Sequence, residues 1–146
     1  MTHQATPLPA ALAAHLATAH GAGLAGLGRF IEKGADLVSA EALACLQERR
    51  LHLQLRIAAL GDSERLRGRL EQLAAAFDAA VAGTVIAPHA LREIAFALIY
   101  FMENADRIPD RVPQIGLLDD ALVAQFVIDR QAPAIDVASR RRRRAA

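Results

Sequence analysis

The chain has 146 residues, 53% of them hydrophobic, and a single cysteine, Cys45, so one domain with its own core is expected and an internal disulfide is excluded. Its formal net charge of +1 hides an asymmetry, because five of the 17 basic residues are Arg140, Arg141, Arg142, Arg143 and Arg144, which leaves 12 basic against 16 acidic residues, or −4, for the body. Ala, Leu and Arg dominate, tryptophan is absent, and good helix formers in that proportion argue for an all-α fold.

In chain order, Pro7 and Pro9 precede Ala10 to His20, where Leu12 and Leu16 mark a narrow apolar stripe on a first helix. The stretch has no basic leader and carries His15 and His20, which argues against a secretory signal. Gly21, Gly23, Gly26 and Gly28 then interrupt the helical pattern, and a short piece from Leu24 to Lys33 follows. Residues 1–38 thus read as an Ala/Gly-rich helical segment.

Ser39 is the expected N-cap of a helix running to about Leu60, with Glu41 in its first turn and Leu43, Leu46, Leu53, Ile57 and Leu60 along one face. Gly61 ends it, and Asp62 or Ser63 caps the next helix, whose stripe is Leu66, Leu70, Leu73, Phe77 and Val81. The two form an antiparallel hairpin because only a few residues join them. Pro88 opens a further helix at its first turn, and Leu91 to Met102 is apolar almost all round. Such a helix is either central to a bundle or embedded in something else. Leu117 to Arg130 carries two adjacent stripes, Leu118, Leu122, Phe126 and Val123, Val127. Pro133 ends that helix, so 133–146 reads as a flexible basic tail and 39–132 as the bundle. The expected architecture is a single helical bundle of about five helices, made of two antiparallel hairpins, with a proline-rich turn between the last two helices.

That turn concentrates the chemistry of the chain. Ile108 and Val112 precede prolines and are expected to be extended, while Pro109 and Pro113 stiffen the connection and Asp106, Asp110, Asp119 and Asp120 gather around it. With Gly116 at the helix start, Asp119 and Asp120 fall in the first turn, where free N–H groups and the helix dipole favour carboxylates. The alternative is a hard-cation site, since several carboxylate oxygens suit Mg²⁺, Mn²⁺ or Ca²⁺, and paired carboxylates hold a cation that activates water in metal-dependent enzymes. Arg107 and Arg111 interleave with the aspartates and supply a metal-free way to balance them.

In order and spacing, Tyr100, Asp106, Ile108, Pro109, Asp110, Pro113, Gly116, Leu118, Asp119 and Asp120 resemble the signature of the YkvA-like family, a domain of unknown function, over about Ala90 to Arg130. The resemblance implies a helical hairpin with an acidic, proline-rich turn, frequent in proteins predicted to associate with membranes, and it implies no established catalytic activity. Asn104 and Ala105 stand where relatives often have Ser-Pro, and Arg111 stands where an apolar residue is common, which disfavours burying this turn in a membrane.

Other patterns lack their context. Gly21 to Gly26 fits a dinucleotide-binding glycine pattern, but no strand precedes it. His15 and His20 fall on different helix faces, and Cys45 and His52 have no further ligand beside them. Arg140 to Arg144 suit phosphate groups; an acidic body without an aromatic platform disfavours nucleic acid and favours an anionic membrane surface. The expectation is a non-enzymatic module with no cofactor, or a divalent cation in the alternative. It would meet an anionic membrane surface or a protein partner, self-association being a further option through the apolar faces. The expected location is cytoplasmic, peripheral to or embedded in an inner membrane.

Overall fold

The computed structural model describes residues 8–16, 26–60, 64–107 and 113–145, with side chains described for all of these except 64, 104–107, 113–119 and 141–145. Every regular element among them is helical: α1 (Ala10–Leu16), α2 (Leu27–Asp36), α3 (Ala40–Glu48), α4 (Arg50–Ala58), α5 (Glu64–Val81), α6 (Pro88–Arg107), α7 (Pro113–Arg130) and α8 (Ala132–Ala145). The all-α class holds. The count of about five helices does not, and each difference has a local cause.

The stretch expected as one helix from Ser39 is two, broken at Arg49, which caps α3 and α4 together with φ −96° and ψ 13°. No glycine or proline marks the break. It is tied to the central helix by an ion pair, Arg49 Nη1 to Glu103 Oε1 at 3.5 Å. Ser39 caps α3 as expected, its Oγ accepting a hydrogen bond from the Ala42 amide at 3.2 Å. The expected caps Asp62 and Ser63 lie outside the described residues.

Helix α2 begins three residues later than the periodicity suggested and includes Gly34. Leu66, Leu70, Leu73 and Phe77 of α5 are buried, but Val81, the last residue of the expected stripe, is 52% exposed. There the helix is stopped by Gly83 at φ +109°, with Thr84 N donating to Ala79 O and Gly83 N to Ala80 O, the paired bonds of a Schellman cap. Pro88 opens α6 as anticipated.

The stretch read as a flexible tail is instead helical. Pro133 sits in the first turn of α8, where its missing N–H costs no hydrogen bond, so it starts this helix as well as terminating α7. Ile135 and Ala138 are buried and hold α8 to the body.

Helix α6 is the axis of the bundle. Ala90 and every residue from Ile94 to Met102 are buried, because α2, α3, α4, α5 and α7 pack around it. Of the two environments open to so apolar a helix, its own domain supplies the cover. Each of its large apolar side chains contributes about 1.5–3 kcal/mol by leaving water, and no other described helix buries as many of them. Short connections make α5, α6 and α7 antiparallel neighbours, and the meeting of Arg130, at the end of α7, with Glu93, near the start of α6, agrees with that. Helix α8 leaves α7 at the Val81 end of α5 and packs along α5, which carries it back toward the Glu64 end.

Candidate functional site

Tyr100, the first residue of the acidic-turn motif, is a core residue. Its ring makes an edge contact with Phe30 (5.7 Å between centroids) and a tilted one with Phe96 (6.3 Å), and Phe30 meets Phe96 edge-on at 5.4 Å. His15 closes the cluster, stacked on Phe30 at 4.6 Å with Nε2 2.7 Å from the Phe30 carbonyl oxygen. The motif tyrosine therefore belongs to an aromatic cluster that joins α1, α2 and α6.

The turn itself is partly described. Asp106 lies in the last turn of α6 and Asp119 in α7, their side chains outside the described set, and Ile108, Pro109, Asp110 and Val112 lie outside the described residues altogether. Pro113, not Gly116, begins α7, so Gly116 is interior to the helix and no acidic residue falls in its first turn. The expectation that Asp119 and Asp120 finish the start of this helix is thus corrected: both sit in its second turn, and Asp120 is 4% exposed. Proline, whose fixed φ suits the first helical position, takes the place that a carboxylate was expected to fill. Among the described residues no group of three His, Cys, Asp or Glu side chains is placed to hold a metal ion. Three of the four aspartates of the cation alternative, Asp106, Asp110 and Asp119, fall outside that survey.

Two polar clusters emerge that the spacing of residues did not announce. In the first, Glu93 is fully buried on α6, with His89 Nε2 at 2.8 Å and Arg130 Nε at 3.4 Å from its Oε2, while Arg130 Nη2 also reaches Glu32 Oε1 at 2.6 Å. Neither Glu93 oxygen receives an aligned hydrogen bond, so the carboxylate is held by charge rather than by donors directed at its lone pairs. The hydrogen bond to Glu32, with the Glu32 and Glu93 charges, raises the Arg130 pKa and keeps it cationic. A signal existed: Glu93 shares a helical face with Ala97 and Tyr100, a core phase for a charged residue.

The second cluster joins α4 to α5. Arg50 donates from Nε and Nη2 to the two oxygens of Asp78, both at 2.7 Å, and that pairing raises its pKa. Beside it opens a shallow cleft of about 390 Å³ bordered by Gln54, Ile57, Glu71 and Ala75. Two of the three Arg50 guanidinium nitrogens are taken by Asp78, while Nη1 is buried without a hydrogen-bond partner.

The predicted basic residues Arg140, Arg141, Arg142, Arg143 and Arg144 lie on α8. Arg140 is exposed, and the run occupies the C-terminal part of the helix, where the dipole favours cations. Val137, one turn before it, is 46% exposed. No helix among the described residues is long and apolar enough to cross a membrane.

Residues 90–126 match the model of a family described as a protein of unknown function, DUF1232, which spans the motif from Tyr100 to Asp120. Neither the curated proteins nor the solved structures give a match.

Proposed function

We propose that the protein is a non-enzymatic helical module that docks peripherally on an anionic membrane surface through Arg140 to Arg144. The observation that supports this most is that the arginine run continues a helix anchored by Ile135 and Ala138, so its backbone belongs to a held element. Less ordering entropy is then lost on contact. The acidic body disfavours indiscriminate binding to polyanions, which leaves α8 as the attractive face.

Peripheral docking is favoured over embedding because the most apolar helix, α6, is already covered by its neighbours. Near an anionic surface each basic residue contributes about 1 kcal/mol, screened as salt rises, so five give an upper bound of roughly three and a half decades in affinity. Vesicle flotation tests this directly, with phosphatidylcholine alone or mixed with phosphatidylserine. The full chain is expected to float only with the anionic vesicles and to be released by salt, and a chain ending at Ser139 is expected not to float. Equal flotation of both chains, or of neither, contradicts the proposal.

A further inference from the structure

We infer that the docking surface is not the arginine run alone but a stripe that passes from α8 onto the first turns of α5, with Arg65 and Arg69 as its second half and anionic phospholipid headgroups as its partner. This rests on the peripheral reading above and extends it to residues outside α8.

Arg65 and Arg69 are four apart and therefore share a face of α5, while Leu66 and Leu70 between and beside them are buried and fix that helix to the core. Arg65 is exposed and Arg69 half-buried. Arg67 projects from another face toward Glu71 at 3.8 Å. Because α8 packs antiparallel along α5, its arginines advance toward the end of α5 that carries Arg65 and Arg69. Charges from two segments far apart in sequence thus come to one end of the bundle.

The opposite end has the other sign. It carries Glu32, Asp36, Asp78, Glu93, Asp129 and Asp136 against Lys33, Arg50, Arg92 and Arg130, and carboxylates already engage Arg50 and Arg130. The end that carries Arg65 and Arg69 also holds Glu64, Glu71, Glu103, Asp119 and Asp120, with Asp106 beside Arg107 at the end of α6, so the arginine run of α8 is what makes it cationic. A molecule polarised in this way orients as it approaches a uniformly anionic plane. Lipid is favoured over nucleic acid because the described aromatic side chains are buried, or in the case of Phe126 half-buried beneath Arg130, which leaves no platform for stacking bases.

The test compares full-length chains in sedimentation with vesicles of phosphatidylcholine and phosphatidylserine: wild type, Arg65→Glu with Arg69→Glu, Arg65→Gln with Arg69→Gln, and Arg29→Glu. Arg29 is an exposed arginine on α2 and controls for net charge. The glutamate pair is expected to weaken binding by at least about tenfold at low salt, the glutamine pair by a smaller factor, and Arg29→Glu by less than about twofold. If truncation at Ser139 abolishes binding but neither α5 pair alters it, the stripe is refuted and the α8 proposal stands. Equal weakening by Arg29→Glu also refutes it, since net charge alone then governs. Wild type that fails to bind refutes both readings, and tighter binding to duplex DNA or RNA than to vesicles, weakened by the same pairs, refutes the choice of lipid.

Discussion

Gly34 is the position where α2 comes closest to the central helix, and replacing it with alanine isolates that approach. A Cβ built there lies 2.2 Å from Phe96 Cε1, 2.4 Å from Cζ and 2.5 Å from Cδ1. Carbon atoms rest at about 3.5–4.0 Å, so the overlap exceeds 1 Å by roughly half as much again. Phe96 has no room to yield, because it is fully buried and in contact with Phe30, His15 and Tyr100. Overpacking of this kind costs about 1–3 kcal/mol or more, against which the better helix propensity of alanine returns about 1 kcal/mol. At the upper end of that balance, a net loss of about 2 kcal/mol lowers Tm by roughly 4–8 °C in a chain of this size. Urea and thermal unfolding followed by circular dichroism measure it, with Gly68→Ala as the control. A Cβ at Gly68 meets nothing within 4 Å, so that variant is expected to gain about 0.5–1 kcal/mol. If Gly34→Ala is as stable as Gly68→Ala, then α2 does not cross α6 at the distance described and the aromatic cluster is not its lock.

Removing Arg130 leaves the Glu93 carboxylate buried with only His89 beside it, so Arg130→Met is expected to cost about 2 kcal/mol, between the limits for exposed and buried pairs. Adding Glu93→Met should return part of that loss, and a double variant less stable than either single one in urea contradicts the charge clasp. For Cys45, burial pushes the thiol up, Arg49 opposes this, and Glu48 and Glu103 add to the rise. The thiolate is therefore depleted at neutral pH, and alkylation is expected to follow global unfolding; rapid labelling of the native chain shows the site to be open instead.

Helical class, the Ser39 cap and the burial of Leu66, Leu70, Leu73 and Phe77 in α5 and of Ile94 to Met102 in α6 were legible because each follows from residues within a turn or two of one another. What escaped depends on tertiary contacts. Gly34 reads as a helix-weakening residue until Phe96, 62 positions away, is seen to fill its place. The break at Arg49 has no marker in the chain and accompanies a pairing with Glu103. Pro133 has the same local signature whether it ends one helix or opens the next, and only the burial of Ile135 and Ala138 decides. Of the candidate site, the arginine run was plain from composition, whereas its proposed continuation on α5 depends on the direction of α8. The Glu93 cluster draws Glu32 and Arg130 from helices that the sequence does not pair.

Amide hydrogen exchange of the full chain, with and without phosphatidylserine vesicles, tests most directly whether this is a surface-docking module whose apolar axis stays inside its own bundle. The account predicts that 94–102 in α6 exchange slowest and are unaffected by vesicles, while 135–145 in α8 and 64–70 in α5 gain protection. Protection or deprotection of α6 by vesicles, with α8 unchanged, contradicts it.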